Sequence, residues 1–145
     1  MALKFRNITV DPGDPVADWG FEGLLTAVDR GSIEDWSRVA GEFERLPWGE
    51  VAATFESEVA DAAEDPGVVD ALRRVLQRAR ARAAQQEREE VAQTLREALA
   101  ASGMTREEFA RRLGTSRSRL STYLSGKVVP GATLVVRARR IAQAP

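Results

Sequence analysis

The 145-residue chain contains neither cysteine nor histidine. Without cysteine there is no disulfide framework and no thiolate metal site. Without histidine the commonest general base is missing, and with it the Ser-His and Cys-His nucleophile pairs and most transition-metal chemistry. Only carboxylates, hydroxyls, Tyr123 and the two lysines, Lys4 and Lys127, are left for catalysis. There is no phosphate-cradling glycine loop and no metal-spaced carboxylate set. Asp11, Asp14 and Asp18 are close in sequence, but the prolines and glycine among them read as turn and cap chemistry. The sequence therefore argues against an enzyme and implies no cofactor. No apolar run approaches the roughly 20 residues that span a bilayer. The opening Met1-Ala2-Leu3-Lys4-Phe5-Arg6 lacks the apolar stretch of a secretory signal. The expectation is a cytoplasmic protein with no membrane partner.

What is abundant is charge, and it is segregated. Formal net charge is −1. Residues 1–70 hold 16 acidic and 5 basic side chains, residues 71–102 hold 4 and 7, and residues 103–145 hold 2 and 9. Such asymmetry suggests regions with different partners.

Hydrophobic spacing predicts an all-α protein. Residues 4–10 favour a short strand by their β-branched content, one that pairs with its copy in a second chain or packs instead as an extended arm. Three helical segments follow. The first, over 16–30, carries Trp19, Phe21, Leu24, Leu25 and Val28. The second is capped by Ser32 with Asp35 and carries Ile33, Trp36, Val39, Ala40 and Phe43. The third opens at Pro47 and carries Trp48, Val51, Ala52, Phe55 and Val59. All three tryptophans and four of five phenylalanines precede residue 56, so this part is expected to own an aromatic core. From Val68 to Ala101 there is neither proline nor glycine. Val68, Leu72, Val75, Leu76, Ala79 and Ala83 form one apolar stripe, and Val91, Leu95, Ala98 and Leu99 a second. The reading is one long helix of about 50 Å, or two with a break near 85–90. A stripe that long invites a second chain as its cover, hence a homodimer. Arg73, Arg74, Arg78, Arg80 and Arg82 make this helix basic. They read as a solvated face or as a secondary phosphate or partner contact.

The chain thus divides into an acidic helical domain over 1–66, for dimerisation or partner binding, an arginine-rich connecting helix over 67–90, and a basic domain over 91–145.

The last of these carries the specific signal. Gly103 ends a helix. Thr105 and Glu108 form a Thr-x-x-Glu capping box that starts a short helix ending at Gly114. Phe109 and Leu113 face inward, and Ala110 is small where helices cross closely. Thr115 or Ser116 caps the next helix, which turns Leu120, Tyr123 and Leu124 inward. Its outer face carries Arg117, Ser118, Ser121, Thr122 and Ser125, with no carboxylate. A solubilising face mixes Glu and Lys. A face that enters a DNA groove wants short donors, cations and no anions. Two short helices joined by a glycine turn in a basic segment describe a helix-turn-helix.

Residues 91–142 resemble the Xre/Cro-CI family of helix-turn-helix domains, as in phage repressors. The resemblance rests above all on the run from Met104-Thr105 through Glu107-Glu108-Phe109-Ala110, Leu113-Gly114, Ser116, Ser118, Leu120-Ser121, Tyr123 and Gly126 to Pro130. It implies a lambda-repressor-like DNA-binding fold with the helix 116–125 in the major groove. By position, Arg117, Ser118 and Thr122 fall on base edges, Ser116 at the groove entrance, and Arg106 where many members place a phosphate-contacting glutamine. Lys127 falls in a loop that approaches the backbone. Arg119, like Arg111 and Arg112, reads as a phosphate contact or plain solvent exposure, and Ser121 lies on the outer face. For Arg137, Arg139 and Arg140 the sequence leaves a backbone contact and idleness open. Gly131 replaces a commoner serine before the last helix.

The functional expectation is a DNA-binding regulator, a repressor, acting as a homodimer on a palindromic operator. The alternative is the antitoxin of a toxin–antitoxin pair, whose acidic N-terminal domain binds a basic toxin while the helix-turn-helix autoregulates the operon.

Overall fold

A computed structural model describes residues 2–6 and 8–144. Among the described residues it is all-α, with seven helices and no strand. A 3₁₀ turn, Val16–Asp18, precedes α1 (Gly20–Arg30) and α2 (Ile33–Arg45). Helix α3 spans residues 50–62, with α winding over Glu50–Thr54 and Ala60–Ala62 and π winding over Phe55–Val59. Then come α4 (Pro66–Ser102), α5 (Arg106–Leu113), α6 (Arg117–Leu124) and α7 (Ala132–Gln143). No helix among the described residues is long and apolar enough to cross a membrane. The chain forms two compact units, one up to Ala83 and one from Ala84 onward, and α4 contributes to both.

The first unit is built on the aromatics. Trp19, Phe43 and Phe55 are fully buried with Leu24, Val28, Val39 and Val59. The indole N–H groups of Trp19 and Trp36 donate to the carbonyls of Asp14 (3.0 Å) and Ala27 (2.8 Å). Their polar edges are thus satisfied where their faces are packed, as buried indoles require. Arg38 lies over the Trp19 ring at 4.8 Å and donates to the carbonyls of Pro12 and Asp14, which ties down the loop before α1.

Within the single chain, the described residues among 4–10 form no strand. Residues 4–6 and 8–10 are irregular, and residue 7 lies outside the described residues. A strand needs a ladder partner, and the described chain offers none. Instead the segment packs as an arm, with the Phe5 ring edge-on to Trp19 at 5.4 Å. Two aromatic-core expectations also need correction. Ile33 is 74% and Trp48 56% exposed. Ile33 is the first residue of its helix, and Trp48 precedes Gly49, the N-cap of α3, so neither is carried by the buried stripe.

Helix α4 opens on Pro66, where a proline's missing N–H costs nothing. The Asp65 carboxylate accepts from the N–H groups of Gly67 (3.1 Å) and Val68 (3.2 Å). The helix then runs unbroken through 85–90, where every side chain is exposed. Of its first stripe Val68, Leu72, Leu76 and Ala79 are buried in the first unit while Val75 and Ala83 are half-buried; of its second Leu95 and Ala98 are buried in the second unit while Val91 and Leu99 are half-buried. Much of the stripe is therefore covered within the chain itself. Arg80 leaves the basic row to bind the Pro47 carbonyl (2.9 Å) and Glu56 (2.6 Å), while Arg73, Arg74, Arg78 and Arg82 stay exposed.

Candidate nucleic-acid interface

In the second unit Leu95, Ala98, Phe109, Ala110, Leu113, Leu120, Leu124 and Ala138 form one buried cluster, edged by Leu99, Met104, Tyr123, Leu134 and Ile141. Each of the four helices contributes, so α5 and α6 are held by their inner faces and their outer faces are left free.

Local chemistry fixes where α5 and α6 begin and end. The Glu108 N–H donates to Thr105 Oγ1 at 3.2 Å, and Thr105 N–H donates to the Glu108 carboxylate at 3.0 Å, completing the capping box. At the far end Gly114 adopts φ +79°, a left-handed conformation that closes α5 and that a side chain would strain. Ser116 then caps α6, its Oγ accepting from Arg119 N–H at 3.1 Å. Between Leu113 and Arg117 the turn is three residues long.

Two arginines reinforce this geometry. Arg137, on α7, donates through Nη1 to the Leu113 carbonyl. Arg96, on α4, donates to the Leu124 carbonyl at 2.6 Å and is itself held by Gln93 and Glu89. Each cation thus sits on the C-terminal carbonyls of one of the two helices, where the helix dipole favours positive charge. The sequence left Arg137 undecided between the DNA backbone and idleness, and did not single out Arg96. Their partners are 24 and 28 residues away in sequence, so spacing gave no signal.

The proposed contact residues lie at the start of α5, on α6 and its cap, and in the loop after α6. Ser116, Arg117, Ser118, Arg119 and Ser121 are exposed, and Thr122 is half-buried. Arg106, first residue of α5, and Lys127, in the loop after α6, are exposed as well. Two of the hydroxyls also have local duties. Ser116 is the cap just described, and Thr122 Oγ1 donates to the Arg119 carbonyl at 2.6 Å. Arg117 Nη1 lies 3.3 Å from Glu107 Oε1, with both side chains about two-thirds exposed (67% and 66%). Arg111, Arg112, Arg139 and Arg140 are exposed elsewhere on the unit. Chemically, the surface of α6 offers hydroxyls and guanidinium groups and no carboxylate of its own. That set suits acceptor-rich base edges and phosphates.

Residues 95–141 match the family model described as helix-turn-helix, the Xre/Cro-CI type. The family is one of DNA-binding transcriptional regulators, not of catalysts. No curated protein and no solved structure matches the chain.

Proposed function

We propose that this protein, with its helix-turn-helix over residues 95–141, is a sequence-specific repressor that reads DNA with α6 and is not an enzyme. The observation that carries the reading is the outer face of α6 and its C-cap, Arg117, Ser118, Ser121, Thr122 and Ser125, which holds hydroxyls and a cation but no acid. In this reading Arg117 makes a bidentate contact to a guanine, a pairing that discriminates by about 1–3 kcal/mol. Ser118 and Thr122 meet neighbouring base edges. Ser116, Arg106, Arg119 and Lys127 hold phosphates, and Ser121 lies toward the groove.

Binding to a palindromic operator as a homodimer completes the proposal. Half-sites would lie about one helical turn, roughly 34 Å, apart. The test is selection of bound duplexes from a random library, followed by titration at low and moderate salt. Recovery of a two-fold symmetric site with saturable binding supports the reading. Absence of sequence-dependent binding at low salt sinks it.

The excess of acids in residues 1–70 favours a second reading, in which the first unit neutralises a basic toxin and the helix-turn-helix represses the shared operon. Co-purification of a small basic protein with the natively expressed chain would establish it, and its absence from such preparations would leave the simple repressor.

A further inference from the structure

We propose that Glu107 is a positioning residue for base reading: it holds Arg117 in line for a guanine and keeps it off the phosphates. The inference rests on the DNA-binding reading above and assigns a new role within that surface.

Only two carboxylates occur after residue 97, Glu107 and Glu108. Glu108 is spent in the capping box with Thr105. Glu107 is not needed for that cap. Its one ionic partner among the described residues is Arg117, at 3.3 Å across the turn. The two residues open the two helices of the motif, Glu107 in the first turn of α5 and Arg117 at the first position of α6. The Gly114 turn and the Ser116 cap therefore fix the separation of the two backbones from which these side chains meet.

An isolated exposed arginine beside DNA has two destinations. The phosphates are nearer, more numerous and more negative than a guanine edge. Glu107 shifts that choice in two ways. Its carboxylate takes one guanidinium nitrogen, Nη1, and leaves Nε and Nη2 free as a pair of donors. Its negative charge also penalises a pose in which Arg117 and a phosphate lie side by side with it. Ordering the arginine in advance lowers the conformational cost of the base contact.

The experiment uses the full chain with wild type, E107A, R117A and the double variant. Each is titrated with the selected site and with a site altered at the pair read by Arg117, over a salt series. Wild type is expected to prefer the selected pair by roughly tenfold or more, and R117A to lose that preference. E107A is expected to bind the two sites within about twofold of each other. Its log-affinity should fall more steeply with log-salt, by about 0.9 for the phosphate contact Arg117 now makes. In the R117A background the Glu107 substitution should not steepen the slope.

Full preference retained by E107A overturns the proposal while leaving the DNA-binding reading intact. So does a preference that survives in R117A but vanishes on adding E107A, because Glu107 would then read the base itself. A wild type without any sequence preference overturns the DNA-binding reading and this inference together.

Discussion

Arg137 and Gly114 meet at the end of α5, where one side-chain contact and one backbone conformation support each other. A Cβ at Gly114 would come within 3.2 Å of Arg137 Nη1, and the residue sits at φ +79°. Gly114→Ala is expected to cost about 1–2 kcal/mol for the left-handed backbone, plus displacement of the arginine. Arg137→Ala gives up a charge-assisted bond to the Leu113 carbonyl, worth about 1.5–3 kcal/mol where it is shielded and less at a partly exposed site. Because the two share one contact, the double variant should be less destabilised than the sum of the single changes. Urea denaturation of the four proteins measures this. Arg137→Ala should also leave the salt slope of DNA binding unchanged, because its cation is engaged with the protein and not with a phosphate. A reduced slope would return Arg137 to the DNA backbone.

At the scale of the element, caps and turns were legible because their chemistry is local. Thr105 with Glu108, Ser32 with Asp35, and the glycines after α4 and α5 each act within about four residues, and each was found where the spacing put it. Ser116 shows what this leaves unresolved, since the cap and the groove-entrance role call for the same residue. Substitution separates them. Ser116→Ala removes the cap and should destabilise α6 by about 1 kcal/mol. Ser116→Asp keeps an acceptor and adds favourable charge at the helix start, yet places an anion on the face proposed to meet DNA. Thermal melts should rank Asp near wild type and above Ala, while DNA affinity should rank Asp below Ala. If Asp binds DNA as well as wild type, Ser116 lies away from the duplex. The illegible elements depended on distant contacts. Phe55 and Val59 are both buried across the π winding of α3, where Ala60 N–H bonds the Phe55 carbonyl, and nothing in the run Phe-Glu-Ser-Glu-Val announces that winding. The arm before α1 was ambiguous because a strand is defined by its partner. The continuity of α4 was hidden by the polar stretch 85–90, which breaks the apolar stripe without breaking the helix. Arg96 and Arg137 were missed because a carbonyl partner has no side-chain signature.

For the whole molecule the near-zero net charge of −1 and pI near 5.6 are poor guides to behaviour. The positive charge proposed to meet phosphate is concentrated after residue 102, while most acids precede residue 71. Affinity for DNA should therefore fall steeply with salt despite the acidic pI. Each phosphate-contacting cation should account for a slope of about 0.9, so Lys127→Ala and Arg106→Ala should each flatten it by that amount. Glu34→Gln, in the acidic unit, should leave it unchanged. The response to pH follows from the same composition. Histidine is the side chain whose ordinary titration falls between pH 5 and 8, and this chain has none, nor any cysteine. No side chain of the kind that ordinarily titrates in that interval is therefore present. At constant ionic strength both the melting temperature and the DNA dissociation constant should stay flat between about pH 6 and 7.5. A bend in either curve within that window overturns this expectation.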